Sequence, residues 1–171
     1  MRRSLLFASL SVLAFALLTG SAAAQSSSGP RGSVVVLKLD GSIDRTWAGY
    51  LRDGLDQAEA DGSTVVIELD TAGTLDEDAL ALAERIHDAT VPVIVWVGPT
   101  PAKARGAGLL FLYAASLGAV APGAGIGPLE PLDLVDARNE SLPSGTALED
   151  LATGWAQERG RPTPLLFPAQ P

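Results

Sequence analysis

The chain has 171 residues, room for a leader and one modest domain, and its 47% hydrophobic and 19% charged residues are a globular rather than a disordered balance. A formal charge of −8 sets an acidic surface against phosphate and disfavours a nucleic-acid partner. Cysteine is absent and histidine occurs once, at His87, which excludes disulfides, thiolate chemistry, cysteine-ligated zinc and a His-rich metal cluster. No metal and no cofactor is expected.

The elements follow in chain order. Arg2 and Arg3, the apolar run Leu5 to Leu18 and the small residues Gly20-Ser21-Ala22-Ala23-Ala24 read as a signal peptide over residues 1–24. The run is shorter than the roughly 20 apolar residues of a spanning helix, so cleavage after Ala24 is expected, with an uncleaved anchor as the alternative. Either way the domain is exported, to the periplasm or the outer face of the cytoplasmic membrane. Residues 25–32 (QSSSGPRG) form a flexible linker. Val34 to Leu39 reads as a buried strand, followed by a helix whose Trp47, Leu51, Leu55 and Ala58 share one face and which Gly62 ends.

Thr64 to Leu69 is the second buried strand. Thr74 and Glu77 then have the spacing of a capping box for a helix from Leu75 to about Ala89 that buries Leu80, Ala83 and Ile86. Val91 to Val97 is the third strand, with Pro92 near its start. A Gly/Pro loop leads into an apolar helix from Gly106 to Leu117, a short strand Ala119 to Ala121 and the loop Pro122 to Gly127. Residues 128–143 read as irregular, Ala147 to Glu158 as helix, and 162–171 as a proline-rich tail. Strands alternating with helices of these lengths predict an α/β domain over 33–161, built of right-handed βαβ units around a parallel sheet.

The wording of these segments resembles the NfeD-type membrane serine proteases of the ClpP class, in the ClpP/crotonase-like superfamily. The resemblance is carried by Asp40-Gly41-Ser42-Ile43-Asp44, Glu68-Leu69-Asp70-Thr71-Ala72-Gly73 and Val91-Pro92-Val93, then Ala102 to Gly108, Ala121 to Gly127, and Ala156-Gln157-Glu158-Arg159-Gly160-Arg161. It implies a ClpP/crotonase-like fold, here incomplete at the C-terminus, and a Ser-Lys dyad acting on apolar segments of stomatin-like membrane proteins. Such a dyad needs a hydroxyl nucleophile, an amine base and backbone N–H groups for the oxyanion. In register with the family, the nucleophile position holds Gly106 and the base position falls near Pro143-Ser144. The two lysines, Lys38 and Lys103, lie at neither, so no catalytic residue is expected intact. The family's Pro-Gly-Gly oxyanion turn reads Ala72-Gly73-Thr74 here. The resemblance therefore makes Gly73, Thr74, Gly106 and Ala107 the candidate oxyanion and peptide-binding positions.

Other polar residues fit structural roles better than catalytic ones. Ser116 is a candidate relocated nucleophile, but inside an apolar helix its hydroxyl is expected to bond back to a carbonyl; Ser141 and Ser144 are the other candidates. His87 suits a helix C-terminus, Asp76-Glu77-Asp78 a helix N-terminus, and Asp40 and Asp70 the turns that follow strands. Two aspartates without further ligands are a poor metal site. The loop Gly123 to Gly127 lacks both nucleotide-binding spacings, and Lys103 and Arg105 read as solvated loop residues. Three functions stay open: a catalytically impaired binding protein, an active peptidase with a relocated nucleophile, and a truncated remnant. A domain short of one element exposes apolar surface, which makes a homo-oligomer a further possibility.

Overall fold

Strands and helices alternate along the chain in the computed structural model, which describes residues 32–75, 78–129, 132–135 and 145–161. The elements are β1 (Val34–Asp40), α1 (Arg45–Asp61), β2 (Thr64–Asp70), α2 (Ala79–His87), β3 (Val93–Val97), β4 (Lys103–Ala104), α3 (Ala107–Ala114), β5 (Leu117–Val120), β6 (Gly125–Ile126) and α4 (Gly145–Glu158). Four strands form one sheet in the order β1-β2-β3-β5, every pair parallel as expected of βαβ units. The signal segment, Glu77, Ser141, Ser144 and the tail lie outside the described residues.

The sheet has two unlike faces because successive side chains on a strand point to opposite sides. Leu37, Leu39, Val65, Ile67, Leu69, Val93, Val95 and Val97 are buried under the helices. Gly54 lets α1 come close: a Cβ there would sit 2.6 Å from a methyl carbon of Leu37. On the opposite face Val36 and Leu117 are exposed, at 58% and 54%. Each Leu, Ile or Val buried on the helical side contributes about 1.5–3 kcal/mol, so the covered face supplies most of the hydrophobic stabilisation.

Local sequence accounts for most element ends. Asp44 caps α1 by accepting from the Thr46 and Trp47 N–H groups, and Gly62 closes it in the left-handed conformation, φ 65°. The buried face of α1 is Ala48, Leu51, Leu55 and Ala58, with Trp47 on its half-exposed flank. All of α3 is buried, as a helix apolar on every side requires. α4 packs on α3 through Leu148, Ala152, Trp155 and Ala156.

Five readings are corrected. The second helix begins at Ala79 under an Asp78 cap, whose carboxylate accepts from the Ala81 N–H at 3.0 Å. Thr74 is therefore no helix cap: it is fully buried and bridged to Ile43 and Asp133, because tertiary pairing claims its backbone first. Leu82 and Ala79, not Leu80, are buried on α2 beside Ala83 and Ile86. The third helix stops at Ala114, which leaves Ser116 beyond it, and β3 starts only after Pro92, whose ring removes a ladder donor. Finally, Lys103–Ala104 and Gly125–Ile126, read as loop, pair as a small parallel ribbon.

Candidate functional site

Two backbone segments meet where β2 ends and α3 begins. Beyond Asp70, the Thr71 N–H donates to the Lys103 carbonyl at 2.7 Å and the Arg105 N–H donates to the Thr71 carbonyl at 3.1 Å. Those bonds lay the turn after β2 alongside β4, the two-residue lead-in to α3. Thr71 is 2% exposed, and its methyl is so near the first turn of α3 that a Cβ on Gly108 would lie 2.6 Å from it. Only glycine permits that approach. Thr71 thus ties the turn that carries Gly73 to the lead-in and first turn of α3, through Lys103, Arg105 and Gly108.

Gly73 has φ 148°, and a Cβ there would fall 2.8 Å from the Leu132 carbonyl oxygen, so this turn needs glycine twice over. Its N–H donates to the Thr71 hydroxyl at 3.2 Å and its carbonyl accepts from the Ile43 N–H at 3.0 Å. The Thr74 N–H donates to the Leu132 carbonyl at 3.0 Å, and the Leu134 N–H donates back to the Thr74 carbonyl at 2.9 Å. Thr74 therefore spends both of its backbone groups on the 132–134 segment.

Gly106 stands between β4 and α3 with φ 51° and ψ −124°. That is a sharp strand-to-helix turn, relaxed for glycine and strained for any residue with a side chain, of the type that exposes a nucleophile in some hydrolases. Its N–H donates to the Pro128 carbonyl at 2.9 Å, while its carbonyl accepts from Leu109 and Leu110 and starts the helix. The Ala107 N–H is the first donor of α3, and among the described residues it has no acceptor, as helix geometry dictates for that position.

The remaining candidates lie elsewhere. Lys38 is on the open face of the sheet, 3.3 Å from Glu68, and Lys103 and Arg105 are exposed. The Ser116 hydroxyl accepts from the Val93 N–H at 3.2 Å instead of bonding back within a helix. Asp40 and Asp70 are neighbours in register at the strand ends, and Asp70 accepts from the Lys103 N–H at 2.9 Å. With Lys38, Glu68 and residues 98–102 they line an open cleft of about 180 Å³. Among the described residues, no group of three or more His, Cys, Asp or Glu side chains is placed to hold a metal ion. His87 stacks on Trp155 with ring centroids 5.0 Å apart.

Sequence reasoning missed the residues that lock this region from a distance. Arg161 donates to the Leu112, Tyr113 and Ala115 carbonyls at 3.1, 2.8 and 2.6 Å, capping the C-terminus of α3 from the end of α4. Arg159 donates to the His87 carbonyl at 3.1 Å and does the same for α2. The motif Arg159-Gly160-Arg161 was visible, but its target carbonyls lie 46 to 72 residues upstream.

No known family profile matches the chain. It is 34% identical over 104 residues to the membrane-bound protease PH1510 of Pyrococcus horikoshii, a match covering 58% of this chain and 23% of that protein. The chain thus spans about a quarter of the curated relative's length. Among solved structures it is similar to the 1510-N membrane-bound stomatin-specific protease, in a lysine-to-alanine mutant with a substrate peptide. That match has 29% identity and a TM-score of 0.63, over 80% of this chain and 65% of the other. The 1510-N protease described as specific for a stomatin homologue from Pyrococcus horikoshii gives 27% identity and 0.62, covering 80% and 62%. The ClpP protease catalytic domain of Plasmodium falciparum, at 11% identity and 0.53 over 77% and 70%, shares the fold. This chain is a homologue of the N-terminal domain of an NfeD-type membrane-bound protease and has a parallel α/β fold similar to that of ClpP-like protease domains.

Proposed function

We propose that the chain is a catalytically impaired member of this protease group, exported by its leader, that holds apolar peptide segments of membrane proteins without cutting them. The observation that carries this reading is Gly106. It occupies the sharp turn at the head of α3 and offers no side chain where the resemblance puts a hydrolase's hydroxyl. The Ala107 N–H, the first donor of α3 and without an acceptor among the described residues, supports a role as oxyanion donor beside that position. Both candidates for the second donor are engaged, the Gly73 N–H by the Thr71 hydroxyl at 3.2 Å and the Thr74 N–H by the Leu132 carbonyl at 3.0 Å; the Gly73 bond is the longer and is made to a side chain. Stomatin-like segments are the natural ligands to try, since the 1510-N relative is described as specific for a stomatin homologue.

The test is hydrolysis of an apolar stomatin-type peptide by the full chain, beside Gly106→Ser and Gly106→Ser/Ser144→Lys variants. The natural chain is expected to capture the peptide uncut, and the double variant to show measurable cleavage. Cleavage by the natural chain above a mock preparation would overturn the reading and return attention to Ser116, Ser141 or Ser144. Failure of a folded chain to capture any peptide would leave the remnant reading in its place.

A further inference from the structure

Residues 132–135 (Leu-Asp-Leu-Val) cross the turn that follows β2, where Asp133 forms a single parallel bridge with Thr74. On either side of the bridge, the Thr74 N–H donates to the Leu132 carbonyl at 3.0 Å and the Leu134 N–H donates to the Thr74 carbonyl at 2.9 Å. The Thr74 hydroxyl adds a bond to the same Leu132 carbonyl at 3.2 Å. The Leu134 side chain lies over Gly73, its Cγ 3.3 Å from where a Cβ would stand. Asp133 Oδ1 accepts from the Val135 N–H at 2.7 Å, an Asx turn that follows the bridge directly.

An extended peptide binds a protein in this same way. Its main-chain N–H and C=O groups pair with those of the host, and its alternate side chains fall on opposite sides of the contact. Here Leu132 and Leu134 take one side and Asp133 the other. Burial separates the two leucines: Leu132 is 3% exposed, Leu134 39%, and Val135 beyond them 61%. The far half of the segment gains little from burial and depends on its hydrogen bonds. A second extended chain offers the same donors and acceptors, so exchanging one for the other leaves no backbone group unpaired.

We propose that residues 132–135 are an internal strap, seated on Thr74 where the main chain of a bound peptide belongs and released from it when an apolar segment enters; this rests on the peptide-holding reading of the same site and supplies its regulation. Thr74 is fully buried with the strap in place, and its N–H turns to a ligand only when the strap leaves. The affinity for peptide is then the intrinsic affinity reduced by the fraction of chains with the strap open. Weakening the strap raises that fraction without touching Gly73, Thr74 or Ala107.

The test is Leu134→Pro, which deletes the donor to the Thr74 carbonyl at a partly exposed position. Binding of an apolar stomatin-type peptide to the full chain, in mild non-ionic detergent, is compared between this variant and the natural chain by fluorescence anisotropy. Losing one such bond from the strap is expected to tighten binding by about 2–10-fold. A dissociation constant equal to or weaker than that of the natural chain would overturn the strap and leave the peptide-holding reading standing. Absence of binding by both forms would overturn the two together. Should Leu134→Pro not fold, hydrogen exchange on the natural chain decides. Saturating peptide is expected to speed exchange at the Leu134 amide, and exchange that is unchanged or slower there overturns the strap.

Discussion

At the scale of single residues, glycine placement sets the geometry of the junction between β2 and α3. Gly106 has a backbone conformation that side chains adopt only under strain. Placing serine there costs about 1–3 kcal/mol in stability, to be read by urea unfolding of Gly106→Ser against the natural chain. Gly108 is constrained by contact instead. Gly108→Ala drives a methyl into Thr71 and is expected to destabilise by about 1–3 kcal/mol. Combining it with Thr71→Ser, which removes the offending methyl and keeps the hydroxyl, should recover part of that loss in a double-mutant cycle. Gly73 and Gly106 became candidates through the resemblance to the NfeD-type proteases, and the structure adds that both have positive φ, 148° and 51°. The engagement of Thr74 by Leu132 was not legible in the sequence, since the two are 58 residues apart and no local pattern links them.

At the scale of elements, charged side chains tie the helices together. Arg85 on α2 holds Glu59 on α1 with two bonds, at 3.0 and 2.8 Å, and also reaches Asp56. The Glu59 carboxyl is held below its ordinary value of 4.5, first by the Arg85 hydrogen bonds and then by the Thr90 N–H. The fold thus favours the ionised form. Its contribution is present above the unfolded value and is lost as the pH falls through the folded one. Glu59→Gln should cost about 1 kcal/mol at pH 7, and the gap to the natural chain should close as the pH drops below about 4.5, in denaturant melts across that range. Arg161 plays a different part, since its guanidinium satisfies three carbonyls at the end of a buried helix. Arg161→Met leaves those acceptors without their donor and should cost about 2–4 kcal/mol by the same measurement.

At the scale of the whole molecule, the described helices cover one face of the sheet, and neighbouring strand positions should respond very differently to truncation. Ile67 is fully buried under the helices while Val36 is 58% exposed on the opposite face. Ile67→Ala is expected to cost about 2–5 kcal/mol and Val36→Ala less than about 0.5, both by chemical denaturation. Among the described residues, no helix is long and apolar enough to cross a membrane.

The sequence by itself determined the class of fold, the order of the strands and helices along the chain, and the kinship with NfeD-type proteases. Those rest on local quantities: β-branched runs, apolar spacing of three to four, and short motifs in a fixed order. Only the tertiary structure decided what Thr74 bonds to, that Lys103–Ala104 pairs with Gly125–Ile126, that Ser116 supports β3, and that Arg159 and Arg161 cap helices far upstream. Each of those depends on a partner about 20 to 70 residues away, and a backbone donor or acceptor takes whichever partner the packed core brings to it.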